Sequence, residues 1–169
     1  EDTTIIKLDL KKFFYSIDRN ITKREFDKKI ECEKTIRLIF KIIDSAEVLS
    51  ETGLPLGNTL SQIGANKTLN PLDQHAKRKM SLKYYVRYAD DIFVIVQSKD
   101  EAKRVLKELR DFTENELNLK LNKKKTKIFP VEQGVNGLGF KIYRTHTLLR
   151  NQSKKKVKRK LKAMHRLIN

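Results

Sequence analysis

The feature that most constrains the fold is a pair of strand-like runs on either side of two adjacent aspartates. Residues 83–88 (KYYVRY) and 92–96 (IFVIV) are mainly aromatic and β-branched, and Ala89, Asp90 and Asp91 separate them. This pattern predicts a β-hairpin with the acids at its tip. The two carboxylates repel each other, and each loses hydration when it is partly buried. A structural turn is one interpretation, because Asp is common in turns; neutralisation by Mg²⁺ is the sharper one.

A third aspartate ends another strand-like run near the start of the chain. Residues 3–10 (TTIIKLDL) are typical of a buried strand that ends at Asp9. If this strand lies beside the hairpin, three carboxylates meet at one place. Three carboxylates are the minimum needed to hold two Mg²⁺ ions about 3.5–4 Å apart for an in-line phosphoryl displacement. Taken alone, the pattern is weak, because many solvated surfaces contain similar groups of aspartates.

The helical patterns of the chain are interleaved with its strands. Residues 22–25 (TKRE) match a capping box and predict a helix start, and residues 36–43 predict a second, amphipathic helix. Residues 61–80 have helical spacing, although Pro71 is expected to kink or divide that helix. Residues 98–101 form another capping box before a further amphipathic helix.

Loops and short strands complete the predicted organisation. Residues 51–58 form a loop punctuated by Gly and Pro, and residues 125–130 and 137–143 are predicted strands. Strands and helices alternate around a central hairpin. The predicted class is therefore α+β, with a small, mostly antiparallel sheet backed by helices.

The charge balance indicates a polyanionic partner. The chain has 38 Lys and Arg against 21 Asp and Glu, a formal net charge of +17 over 169 residues. Cys32 is the single cysteine, which excludes an internal disulfide and suits a reducing compartment, so we expect a cytoplasmic protein. Apolar runs are too short to cross a bilayer, and no membrane partner is expected.

Basic residues are concentrated at the C-terminal end. After Glu132 the sequence has no acidic residue, and residues 151–169 contain eight Lys and Arg. Within them, Val157, Leu161 and Met164 recur at helical spacing, as does Ile168. The pattern predicts an amphipathic helix with one very basic face, which suits a phosphate backbone. A solvated tail and a membrane-surface helix are the alternatives.

Five motifs in this chain resemble those of reverse transcriptases, and they occur in the same order. The segment YADD, with apolar residues on both sides, resembles the catalytic hairpin of that family. The other motifs are IIKLDLKKFF (5–14), GLPLGNTLSQIGAN (53–66), LNKKKTKI (121–128) and GLGFKIYRTH (137–146). They resemble the first carboxylate motif, the nucleotide loop and its helix, the lysine motif and the primer-grip hairpin.

The resemblance implies a polymerase palm that uses two metal ions. Mg²⁺ is the expected cofactor, with Mn²⁺ as an alternative. The expected metal ligands are Asp9, Asp90, Asp91 and the backbone carbonyl of Leu10. Lys125 matches the motif lysine that donates a proton to the departing pyrophosphate. Arg87 is expected to face away from the core and to have no catalytic role.

The resemblance also implies residues that contact the incoming nucleotide. Phe14 matches the steric gate that selects dNTPs over NTPs, although one residue of the Phe13–Phe14 pair is expected to be an ordinary core residue. The expected nucleotide-binding residues of the loop motif are Leu56, Gly57 and Gln62. An apolar Leu56 lacks the hydrogen bonds of the usual Gln, which predicts poorer discrimination between substrates.

Two further segments are implied to contact template RNA and DNA primer. The primer grip corresponds to Leu138, Gly139 and Phe140, where Gly lets a nucleic-acid backbone approach closely. The C-terminal basic helix, predicted over residues 154–166, would begin a thumb that contacts the duplex. Its expected contact residues are Lys155, Lys158, Arg159 and Lys162.

The nucleotide-loop motif indicates which type of reverse transcriptase the chain resembles. Most reverse transcriptases carry Gln-Gly…Ser-Pro there, whereas residues 56–62 read LGNTLSQ. This variant resembles the error-prone enzymes of diversity-generating retroelements, which implies a basic accessory variability protein as a further partner. Group II intron, retron and abortive-infection enzymes are the alternative subfamilies.

The resemblance divides the chain into expected regions. Residues 1–15 and 53–137 correspond to the palm, residues 16–52 to a helical fingers base, and residues 138–169 to the primer grip and the start of the thumb. The fingers strands that grip the triphosphate would precede the first motif, so the chain is interpreted as a palm-centred fragment, not expected to be fully active alone. The alternative function is a nucleic-acid-binding palm module without catalysis.

Overall fold

The computed structural model describes residues 3–45 and 52–168, and a four-stranded antiparallel sheet lies at its centre. The strands are β1 (Thr4–Asp9), β2 (Tyr84–Tyr88), β3 (Asp91–Val96) and β4 (Lys127–Pro130), in the order β2-β3-β1-β4. The strand that ends at Asp9 therefore lies directly beside the β2–β3 hairpin. Residues 1, 2, 46–51 and 169 lie outside the described part, and with them the first residue of the predicted 51–58 loop.

Six α-helices and a second sheet surround the central sheet in the described residues. The helices are α1 (Phe13–Ser16), α2 (Arg19–Asp27), α3 (Glu33–Asp44), α4 (Thr59–Gln74), α5 (Lys99–Leu117) and α6 (Asn151–Ile168). A π-helical turn over His75–Lys79 continues α4, and a 3₁₀ turn spans Val131–Gln133. The small antiparallel sheet contains β5 (Val135–Gly137), β6 (Phe140–Ile142) and β7 (Thr147–Leu149), in that order.

The two faces of the central sheet differ in polarity because side chains alternate along each strand. Leu8 and Val94 are fully buried on one face, in the same core cluster as Leu109 of α5, and α5 contacts β1 and β3. Lys7 and Asp9 alternate with that set and project to the opposite face. Helices thus cover one face of the sheet, and the other face carries charged residues.

Two predicted helix starts have different outcomes. Ser98 caps α5 as predicted: its Oγ accepts a hydrogen bond from the Glu101 backbone N–H at 3.1 Å. The capping box at residues 22–25 is wrong, because α2 begins at Arg19 and Asp18 is its N-cap. Thr22 lies inside that helix, where its hydroxyl is buried against the Thr68 hydroxyl at 2.7 Å.

Pro71 does not divide the long helix. Helix α4 continues through Pro71 to Gln74 before the backbone widens into the π-helical turn. Pro71 lacks an N–H, so the carbonyl one turn earlier loses its helical partner without breaking the helix. The predicted division of the helix at this residue is therefore wrong, whereas the predicted kink stays a prediction.

The described fold confirms the predicted α+β class, with both sheets antiparallel. The predicted strand over residues 137–143 is wrong in one detail, because a turn at Leu138 and Gly139 separates β5 from β6. Within the described ranges, no helix has the length and apolar character required to span a membrane.

Candidate active site

The backbone brings the three predicted carboxylates to one end of the sheet. Asp9 is the register partner of Asp91 across β1 and β3, and Tyr88 is the partner of Asp91 across the hairpin. Ala89 and Asp90 form the turn between the two strands. Directly opposed residues of antiparallel strands project to the same face, with Cβ atoms about 4.5–5.5 Å apart. Asp9 and Asp91 are therefore side by side, and Asp90 lies next to them in the turn.

Asp9 is buried and only half satisfied. Its side-chain Oδ2 accepts a hydrogen bond from Lys125 Nζ at 3.1 Å, whereas the buried Oδ1 has no hydrogen-bond partner among the described residues. The Asp9 carbonyl accepts from the Asn122 backbone N–H at 2.8 Å, which attaches the lysine-rich loop to the end of β1. A buried oxygen without a partner costs about 1–3 kcal/mol. That oxygen is thus a buried acceptor whose hydrogen-bonding capacity is unused.

Lysines neutralise two of the three carboxylates. Lys125 pairs with Asp9, and Lys7 Nζ lies 3.0 Å from Asp91 Oδ1. The Lys7 ammonium also lies 5.2 Å from the centre of the Phe93 ring, which holds the long side chain against the open face of the sheet. These ammonium groups therefore offset the negative charges of Asp9 and Asp91.

The third carboxylate carries uncompensated charge. Burial raises the pKa of Asp90 above its ordinary value, and repulsion from Asp91 and Asp9 raises it further. Its own backbone hydrogen bond and the charge of Lys125 oppose this shift without cancelling it. A cation beside Asp90 would therefore relieve part of this repulsion.

The donor set fits a hard divalent cation, although a formed cage is not present. Within residues 3–45 and 52–168, no group of three or more His, Cys, Asp or Glu side chains is arranged to hold a metal ion. The predicted ligand set of Asp9, Asp90 and Asp91 stays a prediction; in this structure Lys125 pairs with Asp9 and Lys7 pairs with Asp91. The oxygen atoms of Asp9 and Asp90 are of the type that Mg²⁺ prefers, and one of them, Asp9 Oδ1, has no partner among the described residues.

A basic cavity adjoins these carboxylates. Its volume is about 920 Å³, and Asp9, Leu10 and Asp90 form part of its wall. The lysines that line it are Lys11, Lys12, Lys120, Lys123, Lys124 and Lys125. A cavity with carboxylates on one wall and ammonium groups on the others suits a phosphate anion together with a cation.

The loop before α4 is hydrogen-bonded to the segment that contains the predicted steric gate. The Leu54 backbone N–H donates to the Phe14 carbonyl at 3.0 Å, which joins the loop before α4 to the predicted steric gate. Phe13 is the core residue of its pair, and Phe14 is half-buried. Leu56 is 61% exposed, and a side chain at Gly57 would meet open space. Their roles toward a nucleotide stay predictions.

Gln62, the last predicted nucleotide-binding residue, lies on the first turns of α4 and is exposed. Asn58 caps this helix by accepting a hydrogen bond from the Leu60 backbone N–H at 2.8 Å. The loop and the helix start are thus defined by a local cap. Whether Gln62 contacts a nucleotide stays a prediction.

The predicted primer-grip residues form an exposed turn tied to two neighbours. Leu138 has φ +50° and Gly139 has φ +85°, and the Leu138 side chain is 63% exposed. The Gly139 carbonyl accepts from the Arg150 backbone N–H at 3.0 Å, next to the start of α6. On the other side, a side chain at Gly137 would lie 3.7 Å from the Phe93 ring. The turn thus lies between the open face of the sheet and α6.

Helix α6 spans Asn151–Ile168 and includes the predicted residues 154–166. Its four predicted contact residues, Lys155, Lys158, Arg159 and Lys162, are all exposed. The apolar side of the helix is also exposed: Val157, Leu161 and Met164 are each more than half accessible. The side chain of Ile168 lies outside the described part.

Comparison with known proteins identifies the family. The family described as reverse transcriptase (RNA-dependent DNA polymerase) matches residues 1–142. The chain belongs to the reverse transcriptase family. The match covers the first four predicted motifs in full and the primer-grip motif as far as residue 142, and the predicted family is confirmed.

Curated relatives of this reverse transcriptase chain include proteins of mobile elements. The chain is 29% identical to the retron Ec73 reverse transcriptase of Escherichia coli over 90% of its length. It is 26% identical to protein YkfC of Escherichia coli over 83% of its length, and 22% identical to a putative COX1/OXI3 intron 2 protein of Saccharomyces cerevisiae over 81%. The chain spans 52%, 47% and 23% of these relatives, respectively.

Solved telomerase structures share the reverse transcriptase fold. Apo telomerase of Candida tropicalis, truncated from its C-terminal domain, superposes with a TM-score of 0.67 at 16% identity. The match covers 88% of this chain and 35% of that one. Telomerase of Candida albicans with a telomeric RNA fragment gives 0.65 at 12% identity, over 85% of this chain and 29% of that one.

Sequence reasoning did not predict the ion pair that Arg87 forms within this reverse transcriptase fold. Its side chain does not face solvent as predicted: it is 13% exposed and forms an ion pair with Asp73 of α4 at 2.6 Å. The available signal was alternation, because Arg87 shares the helix-facing side of β2 with Tyr85, which is buried. A charged residue in that position needs a partner.

Proposed function

We propose that the full protein is an RNA-directed DNA polymerase that extends a DNA primer along an RNA template with dNTPs. The observation that supports this most is the pairing of Asp9 with Asp91 beside the Asp90 turn, with Asp9 and Asp90 in the wall of a lysine-lined cavity. Carboxylates favour cations and lysines favour phosphates, so the cavity suits a nucleoside triphosphate with its cation.

Asp9, Asp90 and Asp91, with the Leu10 carbonyl, would hold Mg²⁺, or Mn²⁺ as the alternative. When bound, such ions lower the pKa of an attacking hydroxyl and stabilise a pyrophosphate leaving group. Asp9 is preset for this role, because its buried Oδ1 already lies without a partner at the end of β1.

Lys125 would donate the proton that the departing pyrophosphate needs. Its hydrogen bond with Asp9 and the charge of that carboxylate raise the pKa of Lys125 above its ordinary value. The side chain therefore carries its proton at neutral pH and reaches the cavity wall. General acids of this kind contribute about 10²–10⁴-fold to a rate.

Substrate selection would rest on the residues around the loop before α4. Phe14 would exclude a 2′-hydroxyl, and Leu56, Gly57 and Gln62 would contact the new base pair. Exposure of Leu56 and open space at Gly57 support this, because both can be approached by a ligand.

Nucleic acid would be held by the primer-grip turn and by α6. Residues 138–140 would support the primer, and the basic side chains of α6 would neutralise backbone phosphates. The hydrogen bond from the Arg150 N–H to the Gly139 carbonyl supports a single connected surface.

The finer proposal is an error-prone enzyme of the diversity-generating type, with a basic accessory protein as partner. It is supported by the apolar Leu56, whose exposed side chain offers no hydrogen bond to a base pair. A retron or group II intron type is the alternative, and the similarity to a retron reverse transcriptase and an intron protein favours it.

The test is primer extension by the full protein on an RNA template with dNTPs and Mg²⁺. Wild type should extend the primer, and Asp90→Asn should abolish extension while it leaves RNA affinity within about twofold, because the lost charge repels nucleic acid. Asp111→Asn, at an exposed position of α5, is the matched control and should extend normally. RNA binding by wild type without any extension would refute the polymerase proposal in favour of a binding module.

A further inference from the structure

The turn that carries Asp90 has a strained backbone. Ala89, the residue directly before Asp90, has φ +51°, in the left-handed region. For a residue with a Cβ atom this conformation costs about 1–2 kcal/mol. Such a conformation persists only where surrounding contacts hold it in place. A contact that fixes the backbone of Ala89 therefore also fixes the backbone position of Asp90.

Arg87 supplies that contact. Its Nη1 donates to the Ala89 carbonyl at 3.1 Å and to Asn66 Oδ1 at 2.9 Å. Its Nε and Nη2 donate to the Asp73 carboxylate at 2.9 Å and 2.6 Å, a two-pronged pairing. One planar guanidinium therefore joins helix α4, through two of its residues, to the turn.

The Asp73 carboxylate that binds the guanidinium is itself held by Tyr85. The Tyr85 hydroxyl donates to Asp73 Oδ1 at 2.7 Å, and burial followed by the Asp73 charge raises the pKa of Tyr85. The hydroxyl stays protonated and keeps donating. Burial by itself lowers the pKa of Arg87, but the hydrogen bonds and charge of Asp73 outweigh it and leave that pKa raised. Arg87 thus remains charged at every working pH.

Helix α4 connects this Arg87 contact with the predicted nucleotide loop. The helix begins directly after the predicted nucleotide loop, and Asn58 caps its first turn. Asp73 lies in its last turn, about 21 Å along the axis from Thr59. The element that carries the nucleotide loop is thus hydrogen-bonded, through Arg87, to the turn before Asp90.

We propose that Arg87 is a positioning residue for the active site: it holds the Ala89 carbonyl and so places the Asp90 carboxylate beside Asp9. This inference rests on the proposed function, because it assigns Arg87 to the same carboxylate site. Lysine at this position keeps the charge and can pair with Asp73, but it cannot also reach both Asn66 and Ala89, because it lacks the planar fork.

The test measures Mn²⁺ binding to the full protein by electron paramagnetic resonance, without nucleic acid or nucleotide. Arg87→Lys should raise the half-saturating Mn²⁺ concentration about 5- to 10-fold, which corresponds to the loss of one typical hydrogen bond. Arg37→Lys changes the same chemistry in an exposed pair with Glu33, and it should leave Mn²⁺ binding unchanged.

A rescue variant separates positioning from general stabilisation. Glycine adopts positive φ without the Cβ penalty, so Ala89→Gly in the Arg87→Lys background should restore part of the Mn²⁺ affinity. It cannot restore the contacts with Asp73. If Arg87 only fastened α4 to the sheet, the double variant would bind Mn²⁺ as weakly as Arg87→Lys or more weakly, and that result would overturn the proposal.

A milder variant covers the case in which Arg87→Lys does not fold. Asn66→Ala, at an exposed position, should keep the melting temperature and raise half-saturating Mn²⁺ about 2- to 3-fold, because the Nη1 group loses one of its two acceptors. Unchanged Mn²⁺ binding in folded Arg87→Lys or Asn66→Ala would overturn the proposal, as would wild-type binding that does not depend on Asp90.

Primer extension is scored separately from Mn²⁺ binding. Weakened Mn²⁺ binding in Arg87→Lys, with no DNA made by wild type, would support the positioning role and refute the polymerase function. The opposite pair of results, active wild type with unchanged Mn²⁺ binding in the variant, would refute the positioning role alone.

Discussion

The Nζ atom of Lys125 lies 3.1 Å from Oδ2 of Asp9, across 116 residues of sequence. The same ammonium group neutralises a buried carboxylate and occupies one of the oxygen atoms that a divalent cation would use. A cation at Asp9 would therefore compete with Lys125 for this oxygen. If it took that oxygen, Lys125 would be free to extend into the cavity whose wall it shares with Asp9 and Asp90.

Replacement of Lys125 should separate these two effects. In Lys125→Gln we expect the half-saturating Mg²⁺ concentration for single-nucleotide incorporation to fall, because the competing ammonium is gone. The maximal rate should fall by about 10²-fold, because the proton donor is also lost. Lys107→Gln, at an exposed position of α5 away from this cavity, is the control and should alter neither quantity by more than about twofold. An unchanged maximal rate in Lys125→Gln would refute the proton-donor role.

The raised pKa of Asp90 predicts a pH-dependent stability. Because folding favours the protonated carboxyl, ionised Asp90 destabilises the folded state above its raised pKa, and this penalty disappears below its ordinary value near 3.8. Asp90→Asn should therefore melt higher than wild type at pH 7 without divalent cations, with the difference vanishing toward pH 3.8.

Added Mg²⁺ should raise the melting temperature of wild type more than that of Asp90→Asn, since a cation that binds only the folded state stabilises it. Thermal melts with and without Mg²⁺ measure both effects. Asp111→Asn serves as the control for removal of an exposed carboxylate. A lower melting temperature for Asp90→Asn at pH 7 would contradict the assigned origin of the pKa shift.

The basic face of α6 predicts a change in the salt dependence of nucleic-acid binding. Each neutralised phosphate of duplex DNA contributes about 0.9 to the slope of log K against log salt. Replacing four basic residues of α6 with Gln should therefore flatten the slope by up to about 3–4. The residues to change are Lys155, Lys158, Arg159 and Lys162.

The matched control replaces four exposed basic residues of α5, and the slope should stay near its wild-type value. These residues are Lys99, Lys103, Arg104 and Lys107. Binding isotherms at several salt concentrations give both slopes. Equal slopes for wild type and the α6 variant would mean that this face is only solvated.

The apolar residue at position 56 predicts a change in fidelity. In the full protein, Leu56→Gln should give fewer errors opposite template adenine, because a mispaired substrate then leaves a buried polar group without a partner. Polymerisation should remain detectable, since the Leu56 side chain is exposed and its replacement removes little packing. Sequencing cDNA from one adenine-rich RNA measures the error spectrum. Identical spectra from two comparably active proteins would refute the fidelity role.

Local patterns determined much of this fold. Alternation of apolar residues predicted β1 and the β2–β3 hairpin, and the cap at Ser98 predicted the start of α5. These features depend on residues within one turn or one strand of each other, so a short window of sequence contains the determining interactions. The order of motifs predicted the family for the same reason, because each motif is a short local segment.

Local patterns failed where two equivalent signals competed or where a turn interrupted a strand. Thr22 and Glu25 match a capping box as well as Ser98 and Glu101 do, yet Asp18 is the residue that caps α2. The helix could start at either place by local rules, and packing of Thr22 against Thr68 of α4 selects the earlier start.

Long-range pairings of charged side chains were decided by the tertiary structure. The sequence by itself determined that Asp9 ends one strand and that Asp90 and Asp91 lie at a hairpin tip. It contained no signal that Lys125 would reach Asp9 or that Arg87 would meet Asp73. Those contacts require the register of β1 against β3 and the placement of α4 over β2, which follow from burial of the shared core. A buried charge must find a partner, but only the packed elements decide which one is within reach.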